Sequence, residues 1–407
     1  MAVPEAGDDS VFGRRDPHER WSVNQLRSKA IGCLSGAAVG DALGSATEGW
    51  SNEQILKRYG GPVTGIVAPY VDAGHGPTRY QKGDGRITDD TLMTLALVEV
   101  YRQLRRHLDA YDIAATLVPL LMNTVRWLPD MEREDTLVQR LFLAEKWLVT
   151  KLHYAHTDPR EAGVGNMVNC GAAMYMAPVG VANAGDPAGA YAEAIDVAGA
   201  HQWSYGREAA GVFAAAVAAA MVPGATADDV AGVAIDLAHD GTRPALEAVR
   251  NSARGIADWR NAASQLRGAI APYDTVGPDF RDPGLGARRP SRLHSIEELP
   301  IAIGFILVAR GSYQGAVLGA VNYGRDADSI ASMAGAIAGA LGGRDAVPAE
   351  WREYVSRESR VDLEEPGLAM AEVAEEIFAS DDRRHQSRSD AVRRVREVLH
   401  AGHVGSA

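Results

Sequence analysis

The sequence predicts an all-α fold, and three observations carry that expectation. Most long segments repeat apolar or small residues at the period of a helix. No segment alternates convincingly as a strand would, and no βαβ unit can be traced. Alanine, glycine and leucine dominate the composition.

Taken in order, Asn24 to Leu43 presents apolar or small residues on one face. Thr91 to Leu108 sets Leu92, Leu95, Ala96, Val98 and Val100 ahead of Arg102, Arg105 and Arg106, an apolar body with a basic end. Tyr111 to Trp127, Asp135 to Lys151, Pro187 to Ala200, Glu208 to Met221, Ala227 to Ala238, Arg243 to Gly255 and Ile330 to Leu341 read as further helices. Small residues such as Gly211, Ala214 and Ala218 let neighbouring helices approach closely. Pro62 to Arg86 is rich in Gly, Pro and Tyr, and Ala271 to Ser295 carries Pro272, Gly277, Pro278, Pro283, Gly284, Gly286 and Pro290. Both read as long loops, which in compact domains are often functional. Near Ser380 the composition turns polar and Arg-rich, as expected of a surface helix with frayed ends.

With 407 residues, 46% of them hydrophobic, the chain can bury a sizeable core in one large domain or a few smaller ones. A formal charge of -12 argues against a general nucleic-acid binder. Cys33 and Cys170 are the sole cysteines, which excludes a disulfide framework and a four-thiolate zinc site. Met1 to Trp21 is charged and interrupted by prolines, with no apolar signal segment. The most apolar run, Ala209 to Val222, is too short to cross a bilayer. The expectation is a cytoplasmic protein with neither nucleic-acid nor membrane partners; the oligomeric state stays open.

The chemistry concentrates in two short segments of similar design. Gly85-Arg86-Ile87-Thr88-Asp89-Asp90-Thr91 opens the helix at Leu92, and Gly324-Arg325-Asp326-Ala327-Asp328-Ser329 opens the helix at Ile330. Hydroxyls and carboxylates at a helix start favour the positive end of the macrodipole, and one of them per helix is ordinary N-capping. Two acids per cluster exceed that need, and neither pair lies on one helical face. Should the clusters meet, four carboxylates would share a small volume and call for cations. An all-oxygen donor set suits Mg²⁺ or Mn²⁺ rather than zinc. On spacing alone, capping and metal binding both stand.

A third element is Gly32-Cys33-Leu34-Ser35-Gly36-Ala37-Ala38-Val39-Gly40-Asp41-Ala42-Leu43-Gly44, followed by Glu48. It lacks the Lys-Ser/Thr ending of a phosphate loop, and its glycines can serve helix packing alone. Asp41, inside an apolar helix, needs a partner, which can be a structural hydrogen bond.

Together these segments resemble the ADP-ribosylglycohydrolase family from about Lys29 to Gly343. Gly32 to Glu48 is similar to the family's opening motif, and Ile87-Thr88-Asp89-Asp90-Thr91 to its Thr-Asp-Asp-Thr motif. Gly165-Asn166 and Asn169-Cys170-Gly171-Ala172-Ala173-Met174 resemble its central Asn-Gly-rich motif. Leu293 to Pro300 precedes Ala320 to Ser329, which resembles its closing acidic block. The resemblance implies a single compact orthogonal helical bundle with a central dimetal cleft, spanning 26–380 between an N-terminal extension, 1–25, and a polar tail, 381–407. It implies two Mg²⁺ or Mn²⁺ ions on Thr88, Asp89, Asp90, Asp326, Asp328 and Ser329. Glu48 would stand beside the ribose and the attacking water as acid–base residue, with Asp89 or Asp326 as competing choices. Asn166, Asn169, Gly171, His201 and Arg325 would contact substrate.

Several positions depart from the family pattern. Tyr175 stands where many members have Arg, Ala200-His201 where Thr-His is frequent, and Ala327 where the closing motif has Thr. Arg325 adds a cation that can pair with Asp326 or bind a substrate phosphate. Trp203 and Tyr205 can stack on adenine or simply pack, and His75, Tyr80 and Lys82 can form one wall of the cleft. The implied activity is metal-dependent hydrolysis of an N- or O-glycosidic bond to ADP-ribose, on a modified protein or a ribosyl-containing small molecule. Two alternatives remain. One is a pathway enzyme trimming a ribosyl or phosphoribosyl group from an NAD- or nucleotide-derived metabolite. The other is a catalytically silent module that binds ADP-ribose or a nucleotide.

Overall fold

The structure, a computed structural model, describes residues 23–68, 80–274 and 295–404. His75, His294 and most of the second long loop lie outside the described residues. The architecture is helical, and its organising contact joins the two ends of the motif-bearing region. The first helix, Val23–Gly44, packs antiparallel along Ala327–Gly342. Gly32, Gly36, Gly40 and Gly44 face Gly339, Gly335, Ala331 and Ala327 in turn. A Cβ on Gly40 would stand 2.1 Å from the Ala331 carbonyl oxygen, so the two backbones touch and no side chain fits between them. Four-residue spacing keeps every glycine on one helical stripe, which is why the contact runs for three turns.

Ser204–Ala220 is buried along most of its length, as its run of alanines requires, and packs against Pro187–Gly199 and Ala227–Leu237. Lys29 binds this layer to the first contact. Its buried ammonium donates to the carbonyls of Ala220 at 2.9 Å, Ala340 at 2.7 Å and Leu341 at 3.1 Å, capping the C-terminal ends of two helices. Burial lowers its pKa to about 8.

One expectation changes. Tyr111 to Trp127 and Asp135 to Lys151 are not continuous helices: a two-stranded antiparallel hairpin, Val125–Leu128 with Arg133–Thr136, separates shorter helical pieces. Pro129 explains the break, since it donates no backbone hydrogen bond and disfavours helical geometry in the residue before it. The Arg-rich tail is a surface helix, as its composition suggested, and it continues an element that begins in the body. Glu365–Val404 is one helix; its opening turns bury Met370, Ala371, Val373, Ala374 and Ile377, and residues 382–389 are exposed. The composition shift near Ser380 marks where this helix leaves the body.

Candidate metal centre

Asp41 stands near the C-terminal end of the first helix, one residue past Gly40, and the glycine contact carries it to the start of Ala327–Gly342. It is fully buried and accepts from Thr88 N at 2.9 Å, Thr88 Oγ1 at 2.8 Å and Thr91 N at 3.2 Å. Asp41 therefore caps the Asp89–Leu104 helix from across the core. Thr88 and Asp326, the N-cap residues of the two acidic helix starts, make no side-chain capping bond of their own. Capping by their own N-cap side chains therefore does not account for these clusters.

The backbone of the closing motif is fixed by the chain that follows the first helix. Gly49 N donates to Arg325 O at 2.7 Å, and Arg325 N to Trp50 O at 2.8 Å. Gly324 sits at φ 77 with its Cα against the Trp50 carbonyl, where a Cβ would lie 2.0 Å from that oxygen. These bonds bring Glu48 to Asp326 and Asp328.

Among the described residues, three overlapping donor groups result. Asp41, Asp90 and Asp328 each place a carboxylate oxygen within 4.8 Å of the other two, and so do Glu48, Asp326 and Asp328. Cys170, Glu298 and Asp326 form the third group. Asp328 belongs to the first two groups, so they adjoin. Asp90 is buried and its Oδ1 has no hydrogen-bond partner. Burial, then the charge of Asp328, pushes Asp41 up to about 7. Burial, followed by Asp328, Asp41, Asp89 and Asp326, drives Asp90 well above the carboxylate range. Such a set repels itself unless cations enter it, and its oxygen donors fit a hard divalent ion.

The remaining sequence-derived candidates stand outside these three donor groups, some of them against one. Asp89 points toward Arg140, 3.0 Å away, which also holds Asp130, and it joins none of the donor groups found among the described residues. The Thr88 hydroxyl is given to Asp41. Ser329 is buried against the Cys170 thiol. Asn166 donates to the carbonyls of Ala144 and His201 at 2.9 and 2.8 Å and accepts from Met167 N. Asn169 accepts from Gly171 N at 3.0 Å and Gln202 Nε2 at 2.8 Å. Gly171 is packed so tightly on Glu145 that a Cβ would come within 2.3 Å of its Oε1.

His201 is fully buried, with Nε2 3.0 Å from Ala144 O and Nδ1 3.1 Å from Tyr175 Oη. Burial lowers its pKa to about 3, so it is neutral, donating through Nε2 and accepting at Nδ1. The Tyr175 departure is thus the partner of His201. Trp203 donates to Asn166 O at 2.6 Å. Arg325 pairs with Glu297 at 2.6 Å and Asp274 at 3.4 Å, acids that it shares with Arg267.

Three groups gained a place that sequence reasoning did not assign them. Asp41 had a signal, an acid inside an apolar helix, yet its neighbours are remote in sequence. Glu145 is buried beside His201 and Gly171, and burial followed by the charge of Asp89 pushes it up to about 8. Lys82, read only as cleft wall, reaches Glu48 and lies 3.1 Å from Asp328 Oδ2.

A family model described as ADP-ribosylglycohydrolase matches residues 22–386, and the chain belongs to that family. Membership places it among hydrolases of the glycohydrolase kind. An uncharacterized protein of Archaeoglobus fulgidus is 27% identical over 330 residues, covering 81% of this chain and 92% of that protein. A solved ADP-ribosylglycohydrolase-related protein complex matches with a TM-score of 0.54 at 23% identity, covering 86% of this chain and 99% of that one. That likeness shows the helical fold. Among the described residues no helix is long and apolar enough to cross a membrane.

Proposed function

We propose that the protein hydrolyses an N- or O-glycosidic bond to ADP-ribose in a reaction that depends on divalent metal. The observation that carries this reading is the meeting of Asp41, Asp90 and Asp328 in the core, with Glu48 and Asp326 adjoining. Asp41, Asp90 and Asp328 would hold Mg²⁺ or Mn²⁺, and the adjoining Glu48, Asp326 and Asp328 group would take a further positive charge. When bound, the metal supplies Lewis acidity toward the ribose hydroxyls and offsets charge in the donor set. The unpartnered Oδ1 of Asp90 supports this assignment, since a buried carboxylate oxygen without a donor is costly.

Glu48 is the residue for the attacking water. Its carboxylate accepts a proton from water as the oxygen bonds to C1 of the ribose and the glycosidic bond breaks. The departing nitrogen or oxygen takes up a proton from solvent or from the Glu48 carboxyl, which returns to carboxylate, so one water is consumed and a sugar with a free anomeric hydroxyl is released. The substrate is an ADP-ribosylated protein or a ribosyl-containing small molecule, and the reaction belongs to the cytoplasm. Asn166, Asn169 and His201 would shape the wall beside the sugar through the backbone they hold.

The test is mass spectrometry of products from ADP-ribosyl-arginine, an ADP-ribosyl-serine peptide, NAD, and ribosyl and phosphoribosyl nucleotides, with Mg²⁺, Mn²⁺ or chelator. Metal-dependent release of a free sugar product supports the reading and names the leaving group. Turnover unaffected by chelation removes the metal from it. Absence of turnover by folded, metal-loaded protein favours the binding module.

A further inference from the structure

The two adjoining carboxylate groups differ in one respect. Both acids that Lys82 contacts, Glu48 and Asp328, belong to the group that also contains Asp326. Glu48 and Asp328 side chains are 6% and 5% exposed, so this ammonium delivers its charge where solvent screens little. The Asp41, Asp90 and Asp328 group has Asp90 Oδ1 buried without a hydrogen-bond partner.

Local structure holds Lys82 in place. The next residue, Gly83, donates its backbone N–H to Ser45 Oγ at 3.0 Å, and Ser45 Oγ donates to Ala42 O at 3.0 Å. Gly83 also bridges to Arg86 through a turn in which Gly83, Asp84 and Gly85 all have positive φ. Ile87 N is bonded to Ser359 Oγ at 3.1 Å. The lysine therefore springs from a turn tied to the end of the first helix, one turn beyond Asp41. Asp89, beside the cluster but outside its donor groups, likewise has its own cation, Arg140.

We infer that Lys82 serves as a tethered cation in the Glu48, Asp326 and Asp328 group, so that the chain binds one divalent ion, at Asp41, Asp90 and Asp328, where the family resemblance implies two. This rests on the metal-dependent reading above. An ammonium lying against Glu48 and Asp328 opposes a divalent ion there by like-charge repulsion and by occupying their lone pairs. The single ion retains a site because its donors make no contact with Lys82 apart from the shared Asp328.

The test is Mn²⁺ uptake by chelator-stripped protein, read by elemental analysis after equilibrium dialysis and by electron paramagnetic resonance, with no substrate present. Wild type is expected to bind one equivalent with the spectrum of an isolated Mn²⁺. Lys82→Met is expected to bind two with the exchange-coupled spectrum of a pair, its second ion bound roughly 100-fold more tightly than by wild type. Lys82→Arg, which keeps the charge, should stay at one equivalent. Two equivalents in wild type at the affinity seen in Lys82→Met would overturn the inference and leave the metal-dependent reading standing. No uptake by any of the three would remove the metal reading and the inference with it.

Discussion

Two buried polar regions lie side by side in this molecule and are built on opposite principles. In the network of Asn166, Asn169, Tyr175 and His201, donors and acceptors answer one another: amide to carbonyl, backbone N–H to Asn169, hydroxyl to imidazole. His201 is neutral there. In the acidic cluster, Asp41 accepts from Thr88 and Thr91, Asp90 keeps a buried Oδ1 with no hydrogen-bond partner, and Asp326, Asp328 and Glu48 add like charge beside them. A satisfied network stabilises a fold; a cluster of like charges is tolerated only for what it binds. On sequence alone both regions had the same standing as candidate site residues, and the difference lies in their partners.

Substituting Asp328, the acid shared by two donor groups, should separate the two regions most sharply. Asp328→Asn is expected to lower turnover by roughly 10³-fold, about 4 kcal/mol of transition-state stabilisation, and to abolish Mn²⁺ uptake. Because it removes a repelling charge, the metal-free variant should unfold at or above the wild-type temperature. A clear drop in the metal-free unfolding temperature would show that the cluster is structural after all.

The scaffold beneath the cluster comes next. Gly40→Val must push apart touching backbones and is expected to cost about 3 kcal/mol, measured by chemical denaturation. Gly232→Ala supplies the control, since a Cβ there meets nothing within 4 Å and should add about 0.5–1 kcal/mol inside its helix. Equal effects at both positions would refute close packing as the role of the first helix's glycines.

The satisfied network should answer in stability rather than rate. Asn166→Ala takes the amide donor from the His201 carbonyl and one of two donors from the Ala144 carbonyl, at a cost of about 1–3 kcal/mol, while the kcat of folded protein stays within a few-fold. A KM increase without loss of stability would instead move Asn166 into direct substrate contact.

The smallest effect concerns His107, which joins Glu193 to Asp381 of the C-terminal helix. Its hydrogen bond to Glu193, opposed by burial and aided by Asp381, raises its pKa from 6.5 to about 9. The folded state thus holds the proton more tightly than the unfolded chain. The stabilisation is complete below about pH 6.5 and is lost as pH rises through about 9. His107→Ala should flatten the decline of stability across that window, and an unchanged slope would assign the decline to other groups.

Much of the fold was legible because its signals are local. The Gly32–Gly44 spacing, the run of alanines after Glu208 and the acidic starts at Thr88 and Asp326 are each contained within a few helical turns, where period and composition decide the outcome. The hairpin after Thr124 was missed because the apolar residues on both sides of Pro129 fit a helical pattern, and tertiary pairing prevailed. Of the four carboxylates named from the two acidic motifs as a surplus over simple capping, Asp90, Asp326 and Asp328 enter the donor groups and Asp89 does not.

The sequence by itself determined the helical class, the glycine stripe and the surplus of acids at two helix starts, since each follows from neighbours a few residues apart. Tertiary structure decided which of those acids meet. It joined Asp41 to Asp328 through the glycine contact, turned Asp89 toward Arg140, and enclosed Asn166 and His201 in mutual hydrogen bonds. It also brought Lys82 to Asp328 across 246 residues of sequence. Electrostatic character depends on distance in space, and a chain that folds back on itself sets those distances only once its core is packed.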